Sequence, residues 1–429
     1  MKILRLRSYY YPEKASGAHL IDDLDDAFAE AGFFNVNIVP TPSRGITKAE
    51  RKRYSKIKYE ESHEGHQVVY RFDMFAERKN AIQRAARYLL CGVIEYFKAR
   101  KLTDIDLVFS SSTPPTQGFF SAMVAHALSK KEKRRIPFVY NLQDVFPDSL
   151  VTTALTHNGS LIWRIGRKIE DYTYRNASHI ITISNSIKNN LIHKGVAPDK
   201  ITVVSNWIDL GDVKPVPRME NSLIGEYNIN PDKFLVVYAG NLGAAQGAEI
   251  ILDAAKLLSH EHRIHIVVFG GGANYTGFKM NAESLRNVSV FPLLPVDRVS
   301  EVYSLGNVSL ITCKKGTGNT GLPSKTWSIM ACNTPIIASF DTDSELAEAL
   351  NASGAGICVD PGDAQLLADA ILQYFLKWTT GNLITSNYRI YVEENASKEK
   401  CVAKYIRVLE QEYERSIKHE NSSYYSNKP

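Results

Sequence analysis

Gly316-Thr-Gly-Asn-Thr-Gly321-Leu-Pro-Ser-Lys325-Thr-Trp-Ser-Ile-Met-Ala-Cys-Asn-Thr-Pro335 is the stretch on which the reading of this chain turns. It follows a strand-like apolar run, Val308-Ser-Leu-Ile-Thr-Cys313. Gly316, Gly318 and Gly321 let the backbone turn tightly and approach a ligand closely. A helix then begins near Ser324, with Trp327, Met330 and Ala331 on one face. A strand, a glycine loop and a helix start together make an anion site, because unpaired N–H groups and the positive end of the helix dipole point outward. Lys325 falls in the first helical turn, where a cation is unfavourable for the helix itself. That placement makes sense if the ammonium and the amides converge on a phosphate. The alternative is a surface loop ahead of an ordinary core helix, since short motifs carry false positives. The order of the motifs on either side favours the anion site.

The chain has 429 residues, 44% hydrophobic and 23% charged, which is enough for two cores. A net charge of +5 does not suggest nucleic-acid binding. Cys91, Cys313, Cys332, Cys358 and Cys401 lack paired spacing and read as reduced core residues of a cytosolic protein. Met1–Ser8 is too short and too charged for a signal peptide. No apolar run approaches the ~18 residues of a membrane span.

The first half opens with strand Ile3–Leu6, a loop reaching Gly17, helix His19–Ala31 and strand Val36–Val39. A dinucleotide site would want Gly-x-Gly-x-x-Gly at this turn, and it is absent. Gly17 either relieves crowding at a helix start or lets a substrate approach. Residues 44–66, with Arg51-Lys52-Arg53, are expected to be a mobile loop or irregular insertion. Helix Asn80–Arg100 has apolar Ile82, Ala86, Leu89, Leu90, Val93 and Phe97 against Arg84, Arg87, Lys98 and Arg100. Further basic residues follow at Lys130–Arg135 and at Arg164, Arg167 and Lys168. Singly, these clusters are solvated faces. Together, beside Phe119 and Phe120, they suit an anionic membrane surface, where each Lys or Arg contributes ~1 kcal/mol. Asp144, directly after strand Phe138–Leu142, either orients an acceptor hydroxyl or caps the next helix, and Asp148 reads as a cap. The Pro-rich segment Asp209–Asp232 reads as the interdomain linker.

The second half restarts the alternation. Three of its strands end in glycine loops, at Gly240–Gly247, Gly270–Gly272 and Gly316–Gly321. In a parallel sheet such ends share one edge, so loops distant in sequence should line one cleft.

The ordered set Ala177–Ser184, Ile201–Asp209, Tyr238–Gly247, Gly270–Gly272, Val288–Pro292 and Gly321–Pro335 resembles the retaining GT-B glycosyltransferases of family 4. The likeness is greatest to bacterial transferases that build capsule, O-antigen or exopolysaccharide repeat units. It covers nearly the whole chain. It implies an α/β fold of two Rossmann-like doubly wound domains facing a cleft, with C-terminal helices crossing back to the first. The expected divisions are an acceptor-binding domain at 1–208, a nucleotide-sugar-binding domain at 209–387 and a returning helical segment at 388–429.

On this resemblance Lys325 binds the donor diphosphate with the amides around Gly321 and Leu322. Gly17 approaches the same phosphates, and Gly271, Gly272 and Leu293 contact the base. Asn241 and Gln246, ahead of Gly247, stand where many members have Arg and Lys. Thr320 and Ser328 stand where the family has a pair of glutamates, the second of which holds the ribose. Gln143 lies near a position some members fill with His. These departures resemble a branch that transfers amino-deoxy sugars of the N-acetylfucosamine type. The implied donor is a UDP-sugar and the implied acceptor a lipid-diphosphate-linked saccharide. The protein would sit at the inner face of a membrane, held there through its basic first domain. No cofactor and no metal are implied, and Asp341-Thr-Asp343 reads as a turn or cap. Fixed cations and amides aimed at the departing diphosphate would supply the main catalytic term, with Asp144 at the acceptor. The other readings are a non-catalytic nucleotide-sugar-binding subunit and a sugar-nucleotide epimerase on the same fold.

Overall fold

Runs such as Phe234–Tyr238 and Ile264–Phe269 are apolar at nearly every position, which suits strands buried on both faces of a parallel sheet. In a computed structural model, residues 1–13, 17–78, 80–152, 156–318, 322–383 and 387–426 are described. Thr320 and Gly321 lie outside these residues. The chain divides into two compact units, one of residues 1–183, 187–204 and 402–429, the other of 184–186 and 205–401.

The first unit holds β1 (Lys2–Leu6), β2 (Phe34–Pro40), β3 (Tyr59–Ser62), β4 (Gln67–Phe72), β5 (Leu107–Ser111), β6 (Phe138–Leu142), β7 (His179–Thr182) and β8 (Ile201–Val203). They form one sheet in the order β3-β4-β2-β1-β5-β6-β7-β8. Each pairing is parallel except β3 with β4. Leu4, Leu6, Val36, Ile38, Val108, Phe138 and Ile180 are among its core residues.

The second unit holds β9 (Phe234–Asn241), β10 (Ile264–Gly271), β11 (Val288–Pro292), β12 (Val308–Thr312), β13 (Ile336–Ser339) and β14 (Gly356–Val359). These form a parallel sheet in the order β11-β10-β9-β12-β13-β14. The strand order turns from descending to ascending between β1 and β5 in the first sheet and between β9 and β12 in the second. Such a switch point opens a crevice at the carboxyl ends of the two strands.

Four expectations need correction. The basic segment 44–66 is ordered secondary structure. Thr47 and Glu50 form a reciprocal capping box that starts the helix Lys48–Lys56. Arg51 from this helix donates to the carbonyls of Pro42 and Met74, and Tyr59–Ser62 pairs antiparallel with β4.

The segment 209–232 is not a loose linker. Val213 and Leu223 are buried in the core of the second unit. Arg218 donates to the carbonyls of Pro231 at 2.9 Å and Leu305 at 3.2 Å.

The return to the first unit begins at Val402, not at Tyr388. The helix Tyr388–Asn395 is tied to the second unit by Arg389, which donates to the carbonyls of Val213, Ala331 and Leu210. Within the helix Lys398–Ser426, Tyr405 then donates to Asn141 Oδ1 at 3.1 Å.

Finally, the apolar stripe of the helix Ala81–Ala99 faces outward. Ile82, Leu89, Leu90, Val93 and Phe97 are exposed, while Arg87, Cys91 and Glu95 are buried. Phe119 and Phe120 do not join that outward surface: Phe120 is buried, and Phe119 packs on Tyr172.

Candidate active site

Neighbouring strands β10, β9 and β12 deliver the three glycine loops to one edge of the second sheet. Register aligns the ends: Gly270 pairs with Gly240, Gly271 with Asn241, and Gly270 with Pro292 on the other side. The loops are held together by main chain. Leu242 N–H donates to Gly271 O at 2.6 Å, Lys314 N–H to Ala245 O at 2.9 Å, and Leu293 N–H to Gly270 O at 2.8 Å. A Cβ on Gly247 would sit 3.1 Å from the backbone of Cys313 and Lys314. That glycine is therefore needed for the β9 loop to approach the β12 loop. A Cβ on Gly272 would overlap Asn241 Oδ1 at 1.9 Å, and Gly272 has φ +100°.

Lys325 opens the short helix Lys325–Ala331 that follows β12. Its side chain reaches across the switch point to the end of β9. The ammonium donates to Ala239 O at 2.9 Å and lies 4.3 Å from the centre of the Tyr238 ring. Gly240 makes this possible, since a Cβ there would lie 2.7 Å from Lys325 Nζ. Burial lowers the Lys325 pKa to about 8, because the charged form loses water. Burial also pushes the Tyr238 phenol up to about 12, so it stays neutral and donates to Asn241 O at 2.9 Å. Among the described residues no carboxylate pairs with Lys325.

Ser328 lies one helical turn beyond Lys325, on the same side of the helix. Asn241 and Leu293 are exposed, Gln246 and Gly271 half-buried, and Leu322 leans on the core of the second unit. Two loop amides expected to be free for an anion are not. Gly316 N–H donates to Asp341 Oδ1 at 2.9 Å and Gly318 N–H to Asp341 Oδ2 at 2.7 Å. Asp341 thus braces the glycine loop, and Asp343 is exposed. With those amides occupied, more of the positive potential at this edge rests on Lys325.

Gly17 and Asp144 belong to the first unit. Gly17 precedes the helix Ala18–Glu30 with φ +75°, and a Cβ there would find only ordinary contact with Leu20 at 3.7 Å. Left-handed backbone, not crowding, calls for glycine here. Asp144 is exposed just past β6. Its N–H and that of Gln143 donate to Ser112 Oγ, at 3.3 and 3.0 Å, in the loop after β5. Partial desolvation holds its carboxyl above the ordinary range, against the lowering effect of the Ser149 hydroxyl. Asp148 opens the helix Asp148–Thr152 and accepts from Lys194 at 2.7 Å and Asn190 at 3.1 Å.

Sequence reasoning missed Tyr238, Gly240 and the bracing role of Asp341. Gly240 lies in one of the three glycine loops, but no local pattern tells which glycine faces a lysine 85 positions away.

A model of Glycosyltransferase Family 4 matches residues 18–212, and one of Glycosyl transferases group 1 matches residues 220–398. The chain is 25% identical over 414 residues to the colanic acid biosynthesis glycosyl transferase WcaI of Escherichia coli K12, covering 95% of this chain and 99% of that one. It is 27% identical over 298 residues to the glycosyltransferase WbjE of Pseudomonas aeruginosa, covering 67% of this chain and 72% of that one. The solved structure of Anabaena HepE in complex with UDP shares the fold, with a TM-score of 0.69 at 16% identity over 96% of this chain and all of that one. The two models, one largely over each unit, and the names of these relatives mark the chain as a glycosyltransferase, and its two Rossmann-like sheet units are the GT-B fold.

Proposed function

We propose that the protein moves a sugar from a UDP-linked donor, with retention of configuration, onto a lipid-diphosphate-linked saccharide during assembly of a cell-surface polysaccharide. The observation that carries this reading is Lys325, a half-buried ammonium at the β9/β12 switch point with no carboxylate partner among the described residues. Such a charge is costly to keep unless an anion completes it. The likeness to WcaI, named for colanic acid biosynthesis, and to HepE, solved with UDP, supports the substrate class.

In the reaction the bond from the anomeric carbon to the diphosphate oxygen breaks, and its electron pair leaves with UDP. Lys325 stabilises the charge that builds there, without need of a metal. The acceptor hydroxyl oxygen bonds the anomeric carbon from the same face, and its proton passes to the departing phosphate. Asp144 orients that hydroxyl. Asn241 and Gln246 offer neutral hydrogen bonds to the diphosphate where cations would bind it more strongly. Ser328 holds the ribose, and Gly271, Gly272 and Leu293 border the base. The departures at Gln143, Asn241, Gln246, Thr320 and Ser328 resemble the branch that transfers amino-deoxy sugars, and that likeness is the support for an N-acetylamino-deoxy sugar as the group transferred. The acceptor places the enzyme at the cytoplasmic face of a membrane.

A thermal-shift screen of nucleotide sugars on the full chain tests the donor. A ligand at a hundred times its Kd should stabilise the fold by about 2.7 kcal/mol. The reading is lost if no nucleotide sugar stabilises the chain, or if Lys325→Ala retains full turnover. Conversion of the donor alone to an isomeric nucleotide sugar would show an epimerase instead.

A further inference from the structure

Two helices of the first unit present their apolar faces to solvent. In Ala81–Ala99, Ile82 is 81% exposed, Leu89 51%, Leu90 44%, Val93 40% and Phe97 53%. With Ala86 they recur every three or four residues, which is one continuous stripe. The opposite side buries Arg87 and Glu95 completely. Leu161–Asn176 repeats the arrangement in its first turns. Leu161, Ile162 and Ile165 are exposed, while Gly166 and Glu170 are buried.

A helix in water ordinarily turns its apolar stripe toward the core. These two cannot, because their inward faces are occupied by fitted contacts. A Cβ on Gly92 would lie 2.0 Å from the Phe120 ring, and one on Gly166 would lie 2.8 Å from Pro147. Arg87 Nε donates to Phe75 O at 3.1 Å, and Gln117 donates to Glu95 at 2.7 Å. The helix Gln117–Glu132 packs between the two, so all three form one layer.

The polar groups beside these stripes are mainly cationic, and Asp171 and Glu132 are each paired with an arginine. A groove of about 950 Å³ is lined by Tyr96, Phe97, Arg100, Lys101, Lys130 and Lys131 among others, and no carboxylate is part of its lining. Arg100 lies over the Tyr96 and Phe97 rings at 5.9 and 5.6 Å. Exposed Arg164 and Lys168 flank the second stripe.

We infer that this three-helix layer docks on an anionic lipid bilayer. The two stripes enter the acyl boundary, and the cationic groove takes lipid phosphates. Apolar side chains framed by aromatic rings and long cationic ones are the chemistry of such an interface. A second copy is the poorer fit, because a two-fold contact through this layer would bring like-charged rims together. The inference deepens the lipid-linked acceptor reading, but its test does not depend on turnover.

Co-sedimentation of the full chain with phosphatidylglycerol vesicles should show binding, and pure phosphatidylcholine should bind at least about ten-fold more weakly. Replacing Leu89, Val93 and Phe97 by Ser, all on the surface, should leave the melting temperature in place and weaken vesicle binding by about ten-fold or more. Arg100→Glu with Lys130→Glu should remove the preference for the anionic lipid. The inference falls if wild type stays in solution with both vesicles, or if the triple variant binds as wild type does. It also falls if wild type sediments as a dimer that the triple variant abolishes while neither binds vesicles. Thermal shift with UDP-sugars on the same preparations reports separately. Vesicle binding without donor stabilisation keeps the docking face and removes the transferase reading, and the reverse result does the opposite.

Discussion

The carboxyl edges of the two sheets are built from different materials. Near the first, charged side chains are matched to partners. Asp25 accepts from Arg5 and Arg7, Tyr9 donates to Glu77 at 2.7 Å, and Glu13 takes the amides of Ser43 and Arg44 at 2.7 and 2.8 Å. A buried relay runs from Ser8 to Gln117 at 2.9 Å and on to Glu95. At the second edge three loops are joined through main chain, and among the described residues Lys325 meets a carbonyl and a ring but no carboxylate. A compensated edge suits neutral hydroxyls, such as those of a saccharide. An edge with an uncompensated cation and close backbone suits an anion.

The largest expected break in this contrast comes from Lys325→Ala. It should lower kcat by about 10²–10³, the loss typical of a removed transition-state charge contact, with little change in melting temperature. Steady-state kinetics on the purified variant measures it.

At the compensated edge, Glu95→Gln should stabilise the protein. Burial pushes the Glu95 pKa from 4.5 to about 7. A raised folded pKa means that the carboxyl favours folding fully below pH 4.5, and that this contribution is lost as pH rises toward 7. The neutral amide escapes that loss, so urea denaturation at pH 8 should favour the variant by about 3 kcal/mol, and at pH 4 by nearly nothing.

Gly240→Ala sharpens the contrast from the other side. The added methyl would lie 2.7 Å from Nζ, at φ +149°. Displacing the ammonium this way should weaken donor binding by about ten-fold or more while the lysine itself remains. Calorimetry with the stabilising nucleotide sugar reads this directly.

The smallest effect is the pH profile. With its pKa near 8, Lys325 is charged below that pH and neutral above it. Donor affinity should therefore hold to about pH 8 and then fall, by at most about ten-fold per unit. Lys325→Arg, charged throughout, should flatten the profile.

Much of this architecture was readable before any coordinates. The β-loop-α alternation survives in both units, because runs such as Val236–Tyr238 and Leu310–Thr312 leave no polar face for a surface helix. The glycine loops were legible because main chain meets main chain there, as Gly247 does at Cys313. The faces of helix Ala81–Ala99 were not legible. Its periodicity names a stripe and not the side on which the core lies. Gly92 under Phe120 and the buried Arg87 decide that, and both depend on a partner helix.

Residue order alone thus determined two doubly wound units, their glycine-rich strand ends and a lysine set at a helix start, since these follow from local steric and apolar patterning. Only tertiary structure decided that Asp341 consumes two loop amides, that Gly240 clears the path of Lys325 to Ala239, and that an apolar stripe faces water. Each of those is a contact between segments far apart in the chain, where geometry assigns a partner that no spacing encodes.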